Sequence, residues 1–325
     1  MTTVLVAPDS FKGTHTAAEV AAAIAAGLRA GGCEADVCPL ADGGDGTLEV
    51  IAGAIGATRH AAQVSDPLGR PIRAGFALKD DVAIVETAAA SGLVLVDPAD
   101  RDPVGASTRG TGELIAAALR AGARTVYIGV GGSATTDGGA GAVAALKQAG
   151  GPSGARLIVL CDVQTPFEDA ARVFGPQKGA AADAVALLSA RLQVQADAMP
   201  RDPRGVPMTG AAGGLSGGLW AAFDASLAPG ADFILDLVGF DERMRRADAV
   251  VTGEGRLDSQ TLAGKVVGAV AQRAGRAGVP CYAIVGSVAA TSEDLAELGI
   301  AGVIDASDRV DLEAAGRRLG EQLQH

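Results

Sequence analysis

The sequence predicts an α/β protein: a parallel-sheet domain with a second α/β domain set into the chain. Three observations carry that expectation. The chain opens in alternating strand and helix texture, two adjacent β runs joined by three residues break it near position 80, and glycine-rich loops bearing charge follow apolar runs along the whole length. At 325 residues the chain also exceeds what one core usually organises.

Thr3 to Ala7 reads as a short buried strand, and Pro8 to Gly13 as the loop leaving it. Thr16-Ala17-Ala18-Glu19 has the form of a capping box, with Val20, Ile24 and Leu28 on one face of the helix behind it and Gly31-Gly32 as its end. Ala35 to Leu40 is a second strand, followed by the loop Asp42 to Thr47 and a helix through Leu48, Ile51 and Ile55. Loops after strand carboxyl ends carry function in such sheets. From Val64 to Pro71 the chain turns, and Ile72 to Leu78 with Val82 to Glu86 reads as a hairpin. A hairpin does not belong in a doubly wound sheet, so a second domain is expected over 64–232, inserted between 1–63 and 233–325. Within it come a helix through Leu114, Ile115 and Leu119, a strand over 125–130, an Ala-rich helix to Gly150, a strand Arg156 to Cys161 delivering Asp162, and a helix from Ala182 to Met199. Strands at Asp248 to Thr252, Pro280 to Val285 and Gly302 to Asp305 rejoin the first sheet.

A formal charge of −11 argues against nucleic acid, and no Lys/Arg cluster offsets it. An anionic ligand must therefore meet a few local cations. Cys33, Cys38, Cys161 and Cys281 show no zinc or disulfide spacing, and His15, His60 and His325 are scattered. The amino terminus reads as a strand, and no apolar run is long enough to cross a bilayer, so a cytoplasmic protein without a membrane partner is expected.

The densest glycine stretch is Gly129 to Gly141, after the apolar run 125–128. If Gly131 to Thr135 turns from strand into helix, the amides of Gly131, Gly132 and Ser133 converge on one spot, suited to phosphate or carboxylate. Close helix packing is the plainer reading. Similar loops recur at 42–47, 107–113, 210–214 with Gly213 and Gly214, and 252–259. Gly129-x-Gly131-x-x-Ala134 meets the loose dinucleotide pattern but lacks an acidic residue about twenty positions on, and Gly264-Lys265-Val266 is no Walker A loop. What remains is carboxylate-rich phosphate chemistry. Asp9, Asp42, Asp45, Glu254 and Asp258 follow strands, with Lys12 and Arg256 among them. Arg109 and Lys178 are the cations suited to a small carboxylate, although Arg109 equally well pairs with Glu113, and Asp137 equally well caps the next helix.

These motifs resemble the bacterial glycerate kinases of the glycerate 2-kinase type: Ala-Pro-Asp-Ser-Phe-Lys-Gly at 7–13, Ala-Asp-Gly-Gly-Asp-Gly-Thr at 41–47, Glu-Thr-Ala-Ala-Ala-Ser-Gly-Leu at 86–93, Ser-Thr-Arg-Gly-Thr-Gly-Glu-Leu at 107–114, Gly-Gly-Ser-Ala-Thr-Thr-Asp-Gly-Gly at 131–139, Phe-Gly-Pro-Gln-Lys-Gly-Ala at 174–180 and Thr-Gly-Glu-Gly-Arg-Leu-Asp-Ser-Gln-Thr at 252–261. The resemblance implies a flavodoxin-like domain plus a restriction-endonuclease-like α/β domain, and ATP-dependent phosphorylation of D-glycerate, at the 2-hydroxyl rather than the 3-hydroxyl. Two departures stand out. Position 45 is Asp where Glu is expected, and 151–155 is a trimmed loop, which bears on closure and oligomeric contacts more than on the reaction.

Chemistry then distributes the roles. Asp42, Lys12 and Asp137 are the catalytic candidates; Arg109, Ser107, Lys178 and Ser10 bind substrate; Gly131, Gly132, Ser133, Gly213, Gly214, Glu254 and Arg256 hold ATP; Asp45 and Asp258 hold Mg²⁺, with all these loops expected on one interdomain cleft of a monomer or homodimer. A nicotinamide-dependent oxidoreductase using 129–134, or a non-catalytic phosphometabolite-binding protein, are the alternatives.

Overall fold

The computed structural model describes residues 1–258 and 265–324, so Ser259, Gln260 and Thr261 of the 252–261 motif lie outside the described residues. The strands in chain order are β1 Thr3–Val6, β2 Glu34–Val37, β3 Thr58–Ser65, β4 Pro71–Lys79, β5 Val82–Glu86, β6 Thr125–Gly129, β7 Arg156–Cys161, β8 Ser226–Pro229, β9 Ala249–Thr252, β10 Cys281–Val285 and β11 Gly302–Asp305. They form two sheets, and the chain divides into two compact units: Met1–Asp42 with Ala231–His325, and Gly43–Gly230.

In the first unit the order is β11-β10-β9-β1-β2, and every neighbouring pair is parallel. The chain leaves β1 toward β2 on one side and returns as β9 on the other, so the strand order reverses between β1 and β9. Open parallel sheets bind ligands at such a switch point, outside the strand carboxyl ends. The helix Ala17–Ala30 starts at the expected capping box: Thr16 Oγ1 accepts from Glu19 N at 3.2 Å and Thr16 N donates to Glu19 Oε2 at 2.8 Å. Its buried face, Val20, Ile24 and Leu28, packs with Leu312 and Leu319 of the helix Arg309–Leu323. Burying each such side chain contributes about 1.5–3 kcal/mol. The two helices approach so closely that a Cβ on Gly27 would stand 2.0 Å from the Glu313 carbonyl oxygen.

In the second unit the order is β3-β4-β5-β6-β7-β8, antiparallel from β3 to β5 and parallel from β5 to β8. The hairpin expected from sequence is β4 and β5. Its core combines Val85, Val126, Ile128 and Val159 of the strands with Leu114, Ile115, Leu146, Leu215 and Leu219 of the covering helices. A smaller cluster forms around Phe167, Leu188 and Leu192.

The units part at 42/43 and 230/231, whereas the sequence suggested 63/64 and 232/233. The difference is β3 and the helix Thr47–Ile55. β3 pairs with β4 over its full length, and Leu48 N donates to Glu86 Oε1 at 2.7 Å, which ties that helix to the end of β5. β3 is an edge strand whose first four residues are exposed, so its sequence carries little apolar signal. Asp45 accordingly belongs to the second unit and Asp42 to the first. Among the described residues no helix is long and apolar enough to cross a membrane.

Candidate active site

Each unit carries a polar pocket at the carboxyl ends of its parallel strands. In the first unit, a cavity of about 470 Å³ is lined by Asp9, Ser10 and Lys12 after β1, Asp42 after β2, Glu254, Arg256 and Asp258 after β9, Gly286 after β10 and Ser307 after β11, with Lys265 beside them. The switch point between β1 and β9 thus holds Asp9 and Glu254. The end of that pair of strands is pinned by Thr252 Oγ1 donating to the Ala7 carbonyl at 3.0 Å.

Charge is dense and balanced in this pocket. Lys12 Nζ lies 3.6 Å from Asp42 Oδ2, and Lys265 Nζ lies 3.9 Å from Glu254 and 4.0 Å from Asp258. Arg256, largely exposed, approaches Asp258 at 3.8 Å. The carboxylates are the buried members: Asp9, Asp42 and Glu254 are 5%, 2% and 7% exposed. Among the described residues Asp9 accepts from Ser10 N, at 2.6 Å, against burial and the negative charges of Asp42 and Glu254. Burial, then Asp42, raises its pKa well above the usual carboxylate range. Ser10 Oγ is buried with no hydrogen-bond partner among the described residues, a hydroxyl available to a ligand.

In the second unit, a cavity of about 140 Å³ is lined by Val130 to Ser133 after β6, Cys161 to Val163 after β7, Phe174, Gln177 and Lys178, and Ala211 with Ala212. Lys178 is 2% exposed. Its Nζ donates to Ser133 Oγ at 3.0 Å and to the Thr135 carbonyl. Burial lowers its pKa to about 7, with the nearby Asp137 charge opposing the shift. Three successive residues, Ala212, Gly213 and Gly214, have left-handed backbone and thread this region. Gly213 cannot be replaced there, because a Cβ would lie 2.0 Å from the Thr135 carbonyl oxygen that Lys178 uses. Gly213 and Gly214 thus serve close packing, and the adjoining Ala211 and Ala212 line the cavity.

The glycine stretch does not turn directly from strand into helix, as the sequence suggested. The helix it leads into is Ala140–Gln148, and Gly139 is its N-cap residue. Residues 132–134 instead run beside Ser91–Leu93: Leu93 N donates to the Gly132 carbonyl and Ala134 N to the Ser91 carbonyl, at 2.8 and 2.9 Å. That pairing leaves the Gly131 and Ser133 amides without a backbone partner among the described residues. It also removes the helix-end geometry that a dinucleotide fingerprint requires.

Asp137 precedes the N-cap residue Gly139 and spends its carboxylate on backbone amides and a hydroxyl. Its Oδ2 accepts from Thr108 N and Thr108 Oγ1, each at 2.9 Å, and from Gly141 N at 3.1 Å, while Oδ1 accepts from Gly139 N at 3.1 Å. It joins the start of one helix to the loop before another, and Ser107 Oγ also donates to it, at 3.4 Å. Arg109 likewise serves its helix: Nε donates to Glu113 at 2.9 Å and a terminal nitrogen to Gln148 at 3.0 Å. Neither Ser107 nor Arg109 lines either cavity. Asp45 is exposed, and its carboxylate lies against Gly132 in the second unit, whereas Asp258 belongs to the first unit.

Asp9 and Lys265 were not assigned roles from sequence. A carboxylate directly after the first strand of a parallel sheet was the available signal for Asp9. Lys265 was visible only as part of a failed nucleotide motif, since its partners Glu254 and Asp258 reach it through the fold.

Comparison with known proteins agrees with this geometry. The sequence profile described as the glycerate kinase family matches residues 4–151 and 151–325. A glycerate kinase of Halalkalibacterium halodurans is 39% identical, covering 92% of this chain and 89% of its own. The glycerate 2-kinase of Escherichia coli K12 is also 39% identical, over 88% of this chain and 85% of its own. A crystal structure assigned as glycerate kinase 2 of Salmonella typhimurium LT2 superposes with a TM-score of 0.84 at 34% identity, covering 99% of this chain and 98% of that one. The chain therefore belongs to the glycerate kinase family.

Proposed function

We propose that the protein transfers the γ-phosphoryl group of ATP to D-glycerate, at the 2-hydroxyl. The observation that carries this reading is the first-unit pocket, where four carboxylates and two lysines from separate loops meet at the sheet's switch point. Phosphoryl transfer asks the protein for positioning and charge rather than covalent chemistry. Asp42, buried beside Lys12, is suited to orient the attacking hydroxyl and accept its proton, and Lys12 and Lys265 are suited to phosphate oxygens. The Ser10 hydroxyl is free to hold substrate.

Mg²⁺ is part of the same proposal. The described residues hold no cluster of three or more ligating side chains, and Mg²⁺ needs only one or two carboxylates when phosphates and water complete its shell. Glu254 and Asp258, hard oxygen donors that both approach Lys265, fit that donor set within one unit, and Asp45, in the other unit, is the second carboxylate proposed from sequence beside Asp258. The ion would neutralise charge on the phosphates. Cytoplasmic action belongs to the proposal too, supported by four free, buried cysteines.

The regiochemistry is supported by the relative named a glycerate 2-kinase. ADP release on adding D-glycerate to enzyme and Mg·ATP, followed by phosphorus NMR of the product, tests both parts. Saturable ligand binding without turnover would leave a phosphometabolite-binding protein, and reduction of a nicotinamide would indicate an oxidoreductase. A 3-phospho product would keep the kinase and overturn the regiochemistry.

A further inference from the structure

Lys178 presents an arithmetic of hydrogen bonds that a charged ammonium does not complete. Its Nζ has two acceptors, Ser133 Oγ and the Thr135 carbonyl, and the described residues supply no third. A neutral amine has two N–H donors and matches that set; an ammonium has three, and the last one faces the cavity. The same cavity wall carries the Gly131 and Ser133 amides left without a backbone partner among the described residues. The site therefore offers donors on two sides and lacks an acceptor in the middle.

We propose that the pocket around Lys178 is a proton-coupled anion site: a phosphoryl or carboxylate oxygen docks between the Gly131–Ser133 backbone and Lys178, and one proton from solvent is taken up by the amine as it binds. The ligand oxygen becomes the missing third acceptor. The inference rests on the anion-binding reading of this pocket and is independent of which molecule accepts the phosphoryl group.

The surrounding charges leave the amine free to respond. Asp137 is the nearby carboxylate, and its oxygens are engaged by Thr108, Gly139 and Gly141. Asp162 and Cys161 line the cavity from the end of β7, and burial pushes the Cys161 thiol up to about 12, so it stays neutral. Asp45 lies against Gly132 from the loop before the helix Thr47–Ile55. Arg191, on the helix Ala182–Ala198, donates to the Thr136 and Val104 carbonyls, and Arg101 packs near Gly179. Both guanidiniums are permanently charged and oppose a second cation until an anion arrives. With the amine at about 7 in the free protein, a bound anion moves it upward, and the amine is mostly neutral before binding at pH 8.

Calorimetry at pH 8 in buffers of differing ionisation enthalpy tests this, with ADP and D-glycerate titrated separately. The expected result is uptake of close to one proton per bound ligand in one arm, with its Kd constant below pH 7 and rising toward about tenfold per pH unit above it. Uptake in the ADP arm assigns the site to a phosphoryl oxygen; uptake in the glycerate arm assigns it to a carboxylate. Lys178→Met should abolish the coupling, and Lys178→Arg, charged throughout, should bind without proton uptake. The proposal is overturned if neither ligand binds saturably, if binding is proton-neutral in both arms, or if the uptake persists in Lys178→Met. Proton-coupled ADP binding without glycerate phosphorylation would sink the proposed activity and leave this inference standing.

Discussion

In the first unit two of the three cations face solvent, Lys12 at 59% and Arg256 at 69% exposure, over carboxylates that are mostly buried, with Lys265 at 22% between Glu254 and Asp258. In the second unit the arrangement is inverted: Lys178 is 2% exposed, and its surroundings are backbone carbonyls, amides and hydroxyls. The first arrangement is adjustable, since exposed cations swing onto an incoming ligand and are screened by salt. The second is fixed before the ligand comes, and its cost appears in the protonation state of the amine. Both pockets follow from the same rule about strand carboxyl ends, yet one gathers charge from the loops after three strands and the other builds its donors from glycine backbone and one lysine.

The largest effect expected from this contrast falls on the first unit. Asp42→Asn should lower kcat by about 10²–10⁴-fold, the usual contribution of a positioned general base. Because the mutation also removes a negative charge that raises the Asp9 pKa, it should not lower stability. Steady-state kinetics with unfolding curves on the same variant check both parts. Near-wild-type turnover would move the role to another carboxylate of that pocket.

Gly213→Ala probes the second unit through its backbone. The added methyl would stand 2.0 Å from the Thr135 carbonyl, at a residue with φ of +67°, so both sterics and conformation resist it. A loss of about 3 kcal/mol or more is expected in urea unfolding. A loss below 1 kcal/mol would show that the turn rearranges easily, which would undo the description of this pocket as fixed.

Legibility in the sequence followed the same division. The first unit was readable because its signals are local: the capping box at Thr16, apolar strand runs, and carboxylates directly after them. The edge strand β3 was missed because five of its eight residues are exposed and little apolar alternation marks it. At the candidate site, Lys12, Asp42, Glu254 and Asp258 were found as loop charges after strands. Lys265 was not, since its partnership with Glu254 and Asp258 exists only once the loop folds back. Asp137 and Arg109 show the opposite limit. Their residue types suited catalysis and carboxylate binding, and the fold uses them to join helices.

Lys178 also leaves a signature on stability. Its folded pKa of about 7 lies below the value of 10.5 for a free lysine, so the unfolded chain binds more protons between those values. Stability therefore rises with pH across that window, by up to about 1.4 kcal/mol per pH unit from this one group, and the contribution is flat below pH 7. Comparing wild type with Lys178→Met in urea from pH 6 to 9 isolates it: wild type should gain stability relative to the variant as pH rises above 7. A constant difference would mean that the lysine stays charged in the folded protein.

The smallest expected effect sharpens the boundary between site and scaffold. Arg109 is 46% exposed on its side chain and pairs with Glu113 one helical turn away, also bonding Gln148. Exposed pairs of this spacing contribute about 0.3–0.5 kcal/mol, and neither candidate cavity includes the residue. Arg109→Ala should therefore destabilise by about that amount and leave the KM for D-glycerate within about twofold. A direct carboxylate contact would instead cost about 1.5–3 kcal/mol of binding, more than tenfold in KM, with the ATP KM unchanged. The two outcomes are far enough apart that one set of kinetic measurements decides whether an exposed arginine in a glycine-rich, family-like motif belongs to the chemistry or to the helix that carries it.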